Sequence, residues 1–83
     1  MIYASQMKAA RGLLGWEQKT LSEKTSLSLQ TIKRMEGSQG KIRGTHENVS
    51  KIREAFEEAG IEFIPENGGG AGLRFKHKHE SAD

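Results

Sequence analysis

The chain of 83 residues has no cysteine, a single proline and a single tryptophan, and no apolar run that approaches the length of a membrane span. Without cysteine, disulfide staples and cysteine-based zinc sites are excluded, and the composition fits a reducing compartment. The opening MIYASQMKAA lacks the apolar core of a signal peptide, so a cytoplasmic location is expected. Charge of one sign is also scarce. Thirteen Lys and Arg against eleven Asp and Glu give a net +2, which by itself is poor evidence for any charged partner. A chain this short has room for one domain with a thin core, which calls for a compact helical bundle or help from a second chain.

What the sequence does contain is helical periodicity. Met7, Ala10 and Leu14 fall on one stripe of a first helix, with Ser5 as its candidate cap and Gly15 suited to its C-terminus. Gly12 inside that helix weakens it by roughly 1 kcal/mol relative to alanine, so packing must hold it. Trp16 reads as a core plug between helices one and two rather than as a ligand-stacking residue. Farther on, Thr45 can cap a helix in which Val49, Ile52, Phe56 and Ala59 recur at helical spacing until Gly60 stops it. The outer face of that helix, with Lys51, Glu54 and Glu58, is expected to be solvated and crossed by weak intrahelical pairs.

Beyond Gly60 the period shortens. IEFI before Pro65 and LRF after the turn-rich ENGGGAG predict a small β-hairpin. Isolated hairpins are marginal in water, which leaves two arrangements open. The hairpin lies against its own bundle, or it pairs by its edge with a second copy in a symmetric homodimer.

The segment QKTLSEKTSLSLQTIKRME, residues 18–36, carries the most information. It writes two short amphipathic helices joined by a tight, capped turn, the sequence form of a helix-turn-helix. Leu21 points inward from the first, and Leu27 fills the turn. Ser28 is an N-cap for the second. There Ile32 and Met35 share one face, leaving Leu29, Gln30, Lys33 and Arg34 on the other. Such a short, polar, cationic face suits the DNA major groove: Gln bonds adenine edges, Arg or Lys bonds guanine, and an apolar side chain touches a thymine methyl. Charge is distributed accordingly. Residues 28–44 hold Lys33, Arg34, Lys41 and Arg43 against Glu36, whereas residues 45–60 hold Lys51 and Arg53 against Glu47, Glu54, Glu57 and Glu58.

Over residues 6–60 the chain resembles the Cro/XRE-type helix-turn-helix domains of phage repressors and small bacterial regulators. Arg11, Leu14, Gly15 and Gln18 match the end of that family's first helix and the start of its second; Leu21, Ser28, Ile32 and Glu36 continue the match through its recognition helix. The resemblance implies a lambda-repressor-like bundle in which Gln18 contacts a DNA phosphate. It also implies that Arg11 and Glu36 form a structural ion pair tying helix one to helix three. Two positions depart from the pattern. The small Ala usual in helix two is Ser22, and the turn Gly is Ser26, so a slightly strained turn is expected.

Other motifs yield less. GGGAG is followed by no Lys-Ser or Lys-Thr and opens no helix, so it reads as a flexible turn. His77, His79 and Glu80 lie in a polar tail without a third fixed ligand or a supporting shell, and a solvated tail is the simpler reading. His46 reads as a surface residue. No nucleophile, base and orienting group recur in a catalytic pattern, so neither an enzyme nor a cofactor is expected.

The expected fold is mainly α: a helix-turn-helix bundle of about four helices over residues 1–60, a β-hairpin over 61–76 and a polar tail over 77–83. The expected function is a sequence-specific DNA-binding transcriptional regulator, with repression the commoner outcome the family suggests. Helix three, about residues 28–36, reads bases through Leu29, Gln30, Lys33 and Arg34. Gln18, Thr31, Lys41 and Arg43, with backbone amides at the start of helix two, hold phosphates and position the domain. A protein-interaction module is the alternative, for instance an antitoxin that covers a toxin and binds its own promoter.

Overall fold

In the computed structural model, which describes residues 2–77, four helices precede an antiparallel hairpin. They are α1 (Ala4–Leu14), α2 (Gln18–Thr25), α3 (Leu29–Glu36) and α4 (His46–Glu58), followed by β1 (Ile61–Ile64) and β2 (Gly72–Phe75). The mainly helical class with a C-terminal hairpin is therefore as expected.

Most caps follow the sequence. Ser28 Oγ accepts from the Thr31 N–H at 3.1 Å, and Thr45 Oγ1 accepts from the Asn48 N–H at 3.1 Å. Each satisfies an amide that the following helix leaves without an internal partner. Gly15 ends α1 in the left-handed region at φ 69°. The start of α1 is a correction. Tyr3 and not Ser5 is the cap residue, and Gln6 Oε1 accepts from the Tyr3 N–H at 2.8 Å. The cause is a contact distant in sequence. Tyr3 is held extended by an antiparallel bridge to Lys41, with the Ala4 N–H on Gly40 O at 2.8 Å and the Ile42 N–H on Ile2 O at 2.9 Å. Ser5 consequently falls inside the first turn.

Met7, Ala10, Leu21, Ile32, Met35, Ile52 and Phe56 make the core that the periodicity anticipates. Ile2 and Ile42 join it through the bridge, pinning the glycine-rich segment after α3 to the N-terminus. Trp16 packs against the core, as a packing residue should, with its ring stacked on Phe56 of α4 at 5.7 Å and Lys24 Nζ of α2 5.6 Å from its centroid.

The hairpin lies on its own bundle. Ile61 pairs with Phe75, Glu62 with Arg74, Phe63 with Leu73 and Ile64 with Gly72. That register sends Ile61 and Phe63 into the core, where Phe63 meets Phe56 edge to face at 6.0 Å. From α1, Gln6 Nε2 donates to Gly72 O at 2.8 Å. Burial of an aliphatic or aromatic side chain contributes about 1.5–3 kcal/mol, so the hairpin is an integral wall of the core.

On the outer face of α4 the pairs are Lys51–Glu47 at 3.9 Å and Arg53–Glu57 at 3.1 Å. Glu54 and Glu58 are exposed. No helix among the described residues is long and apolar enough to cross a membrane. His79 and Glu80 lie outside the described residues, and His77 is exposed.

Candidate nucleic-acid interface

The turn between α2 and α3 is fastened by side chains. Ser22 Oγ donates to Leu27 O, Thr25 Oγ1 donates to Leu21 O at 2.8 Å, and the Leu27 N–H returns to Thr25 Oγ1 at 3.2 Å. Ser22 thus gives the turn a bond that an alanine would lack. At the apex Ser26 sits at φ 63°, the sole positive-φ residue other than glycine among those described. A non-glycine residue thus holds the left-handed conformation there, which ordinarily costs about 1–2 kcal/mol. Leu27 packs against the core, and Ser28 caps α3.

This turn presents α3 with its two faces sorted. Ile32, Met35 and Glu36 are buried, whereas Leu29, Gln30, Lys33 and Arg34 are exposed. Leu29 is 38% exposed, so it does not fold back fully onto the turn. Thr31 is half-buried, and its Oγ1 accepts from Ser28 Oγ at 2.9 Å while keeping its own proton to donate.

Glu36 is the one buried charge of this element, at 3% exposure, and Arg11 answers it. The Arg11 guanidinium grips both carboxylate oxygens, through Nε on Oε2 and through Nη2 on Oε1 at 2.9 Å. Its Nη1 donates to Trp16 O at 2.9 Å, which ties α1 to the start of α2 as well. The hydrogen bond to Glu36 raises the Arg11 pKa above its ordinary value; partial burial opposes this, and the attraction of the carboxylate adds to it. The ion pair implied by the resemblance therefore exists in space. Gln18 joins it, with Nε2 donating to Glu36 Oε1 at 3.1 Å. One N–H of Gln18 is thus directed inward, so a phosphate would meet its second N–H.

With Glu36 covered, the exposed charges over residues 28–44 are Lys33, Arg34, Lys41 and Arg43. None of these four belongs to an ion pair among the described residues. Arg34 and Arg43 line the same open cleft of about 350 Å³ with Gly37, Ser38 and Gln39, and the Arg43 N–H is held on Ser38 Oγ at 3.0 Å. Sequence reasoning missed Ser38 and Gln39. Their only signal was two polar residues between the glycines that follow α3.

Lys41 stands apart from that cleft, exposed beside Tyr3, with its Nζ 6.0 Å from the ring centroid. Among the described residues no cluster of three or more His, Asp and Glu is arranged to hold a metal. No protein-family model matches this chain, and no curated protein matches it.

Proposed function

We propose that this chain is a sequence-specific DNA-binding transcriptional regulator with a lambda-repressor-like helix-turn-helix of the Cro/XRE type. One observation carries the reading: Gln30, Lys33 and Arg34 stand exposed on one face of a capped helix, and the acidic residue of that helix, Glu36, is buried against Arg11. The outward side of α3 therefore offers donors and positive charge to a duplex without an exposed acid on the helix itself. In the proposed mechanism α3 enters the major groove, with Gln30 and Arg34 on base edges, Lys33 on a base or phosphate and Leu29 against a thymine methyl. Gln18, Thr31, Lys41 and Arg43 hold the backbone and fix the register.

A single α3 reads a short half-site. A homodimer joined by hairpin edges would read an inverted repeat with half-sites about one helical turn apart. Repression, by occupying a promoter, is the mode we favour from the resemblance.

Selection of duplexes from a random pool tests this directly. Recovery of an enriched palindrome is the expected result. A pool that stays random after repeated rounds, with only salt-sensitive binding to all duplexes, would overturn sequence-specific regulation.

A further inference from the structure

A groove of about 280 Å³, to which no residue of α3 contributes, lies between the start of α1, the segment after α3, α4 and the hairpin. Its size lies just below that of ligand pockets for drug-sized molecules, which run about 300–1,000 Å³, so it suits a small ligand. Its apolar wall comes from Phe63, Ile64, Pro65 and Ala71 of the hairpin. The charged groups of its lining are Lys41 and Arg53 with Glu66, and Arg53 is also paired with Glu57 beside the groove, so Lys41 is the lining cation without an ion-pair partner among the described residues.

Those charged groups are not equally available. Tyr3 Oη donates to Glu66 at 3.2 Å, so that carboxylate already has a donor. Arg53 uses Nε on Glu57 at 3.1 Å and lays its guanidinium 5.6 Å from the Phe63 centroid, keeping its Nη donors. Lys41 has no carboxylate partner among the described ion pairs. Gln6 supplies no strong claim of its own, because its amide is bonded to Tyr3 N–H and Gly72 O.

From this we infer that the groove binds a small monocarboxylate with an apolar body, its carboxylate between Lys41 and Arg53 and its body on the hairpin wall. Charge-assisted bonds from ammonium and guanidinium groups suit a carboxylate, and Glu66 disfavours a second negative charge. A bound anion would also compete with DNA phosphate for Lys41. That consequence rests on the DNA-binding reading; the ligand site does not.

Titration of the free full-length protein with phenylacetate, followed by amide NMR, tests the site without DNA. Ligands this small bind in the millimolar range. Saturable shifts confined to Tyr3, Lys41, Arg53, the Phe63–Glu66 stretch and Ala71 are expected, with phenylacetamide and phenethylamine weaker by about tenfold or more, because neither offers a carboxylate to the two cations. Lys41→Gln and Arg53→Gln, both at sites open to solvent, should each weaken phenylacetate similarly while leaving the remaining spectrum folded. Equal binding of the three probes, shifts scattered elsewhere, or none that saturate would overturn the proposal. A duplex-binding assay then reads the competition separately: lower affinity with phenylacetate supports it, and unchanged affinity with the groove filled removes it.

Discussion

Arg11 reaches across from α1 to take both oxygens of Glu36, the last residue of α3, in a pair of which the carboxylate side is almost wholly buried. The pair fixes the far end of α3 against α1 while Ser28 fixes its near end, so the outward residues between them have a defined setting. Removing Arg11 leaves the Glu36 carboxylate buried without its counter-charge, held by the Gln18 hydrogen bond alone. Arg11→Ala is expected to lower stability by about 3 kcal/mol, at the lower end of the range for broken buried pairs because Arg11 is itself partly open to solvent. Replacing both, as Arg11→Met with Glu36→Leu, should lose less than Arg11→Ala alone, and chemical denaturation of the three variants measures the difference. A double variant no more stable than the single would mean that the pair's geometry, and not the orphaned charge, sets the loss.

Ser26 holds a left-handed backbone at φ 63° with an exposed side chain that makes no hydrogen bond among those described. Ser26→Gly removes the steric cost and no contact, although it frees the unfolded chain. A net gain of about 0.5–1 kcal/mol is expected, read as a higher midpoint of thermal unfolding. Unchanged or reduced stability would show that the serine is relaxed there.

Tyr3 is the only tyrosine, so its titration is unobscured. The negative charge of Glu66 and the hydrogen bond to it hold the Tyr3 phenol above its ordinary pKa, with a smaller contribution from burial. The sign follows: a phenol whose folded pKa is raised contributes stability present below its unfolded pKa of 10.0 and lost as pH rises through the higher folded value. Ultraviolet absorbance should place phenolate formation above 10.0 in the native protein and move it back down in Glu66→Gln. Coincident titrations of the two proteins would dissolve the Tyr3–Glu66 link.

How far the sequence could be read depended on the range of the contact. Ser28 and Thr45 cap helices through bonds three residues long, and the stripe of Ile52 and Phe56 obeys helical spacing, so both were legible. The Arg11–Glu36 pair spans 25 residues and was accessible only through the family resemblance. Ile42 is a lone apolar residue in a polar stretch, and Ile2 sits in the short run MIYA, with no period to announce either. They are buried because two short extended segments happen to meet. That meeting also makes Tyr3 the cap in place of Ser5. Trp16 was legible as a packed aromatic, but its partner Phe56 lies 40 positions away, and no local pattern names it. At the candidate interface the exposed face of α3 followed from spacing, whereas the inward turn of Gln18 and the shared cleft of Arg34 and Arg43 depend on side-chain placement.

On the proposed interface, Arg34 and Lys41 are expected to behave differently. Arg34→Ala should weaken a selected duplex by about 1–3 kcal/mol and relax preference at one base position. Lys41→Ala should weaken all duplexes alike and lower the salt slope by about one unit. Because Arg34 lines a cleft with Arg43, it is also placed to share a phosphate. Equal losses on selected and random duplexes for Arg34→Ala would assign it to that backbone role.

The hairpin's burial changes how dimerisation has to be tested. Deleting residues 61–83 would remove Ile61 and Phe63 from the core and leave Phe56 without its edge-on neighbour, so the truncated chain should unfold rather than become a clean monomer. A point change at the sheet edge is the sharper probe. The Lys76 N–H bonds Gly60 O at 2.7 Å, and alternation along the antiparallel ladder then turns the Leu73 amide away from β1. Leu73→Pro therefore removes an edge donor without breaking the β1–β2 ladder. If edges of β2 join two copies, light scattering should report a dimer for the wild type and a monomer for this variant, with helical circular dichroism retained. A wild-type monomer, or a dimer that survives Leu73→Pro, would exclude the β2 edge as the interface and leave any inverted-repeat recognition to pairing on the DNA itself.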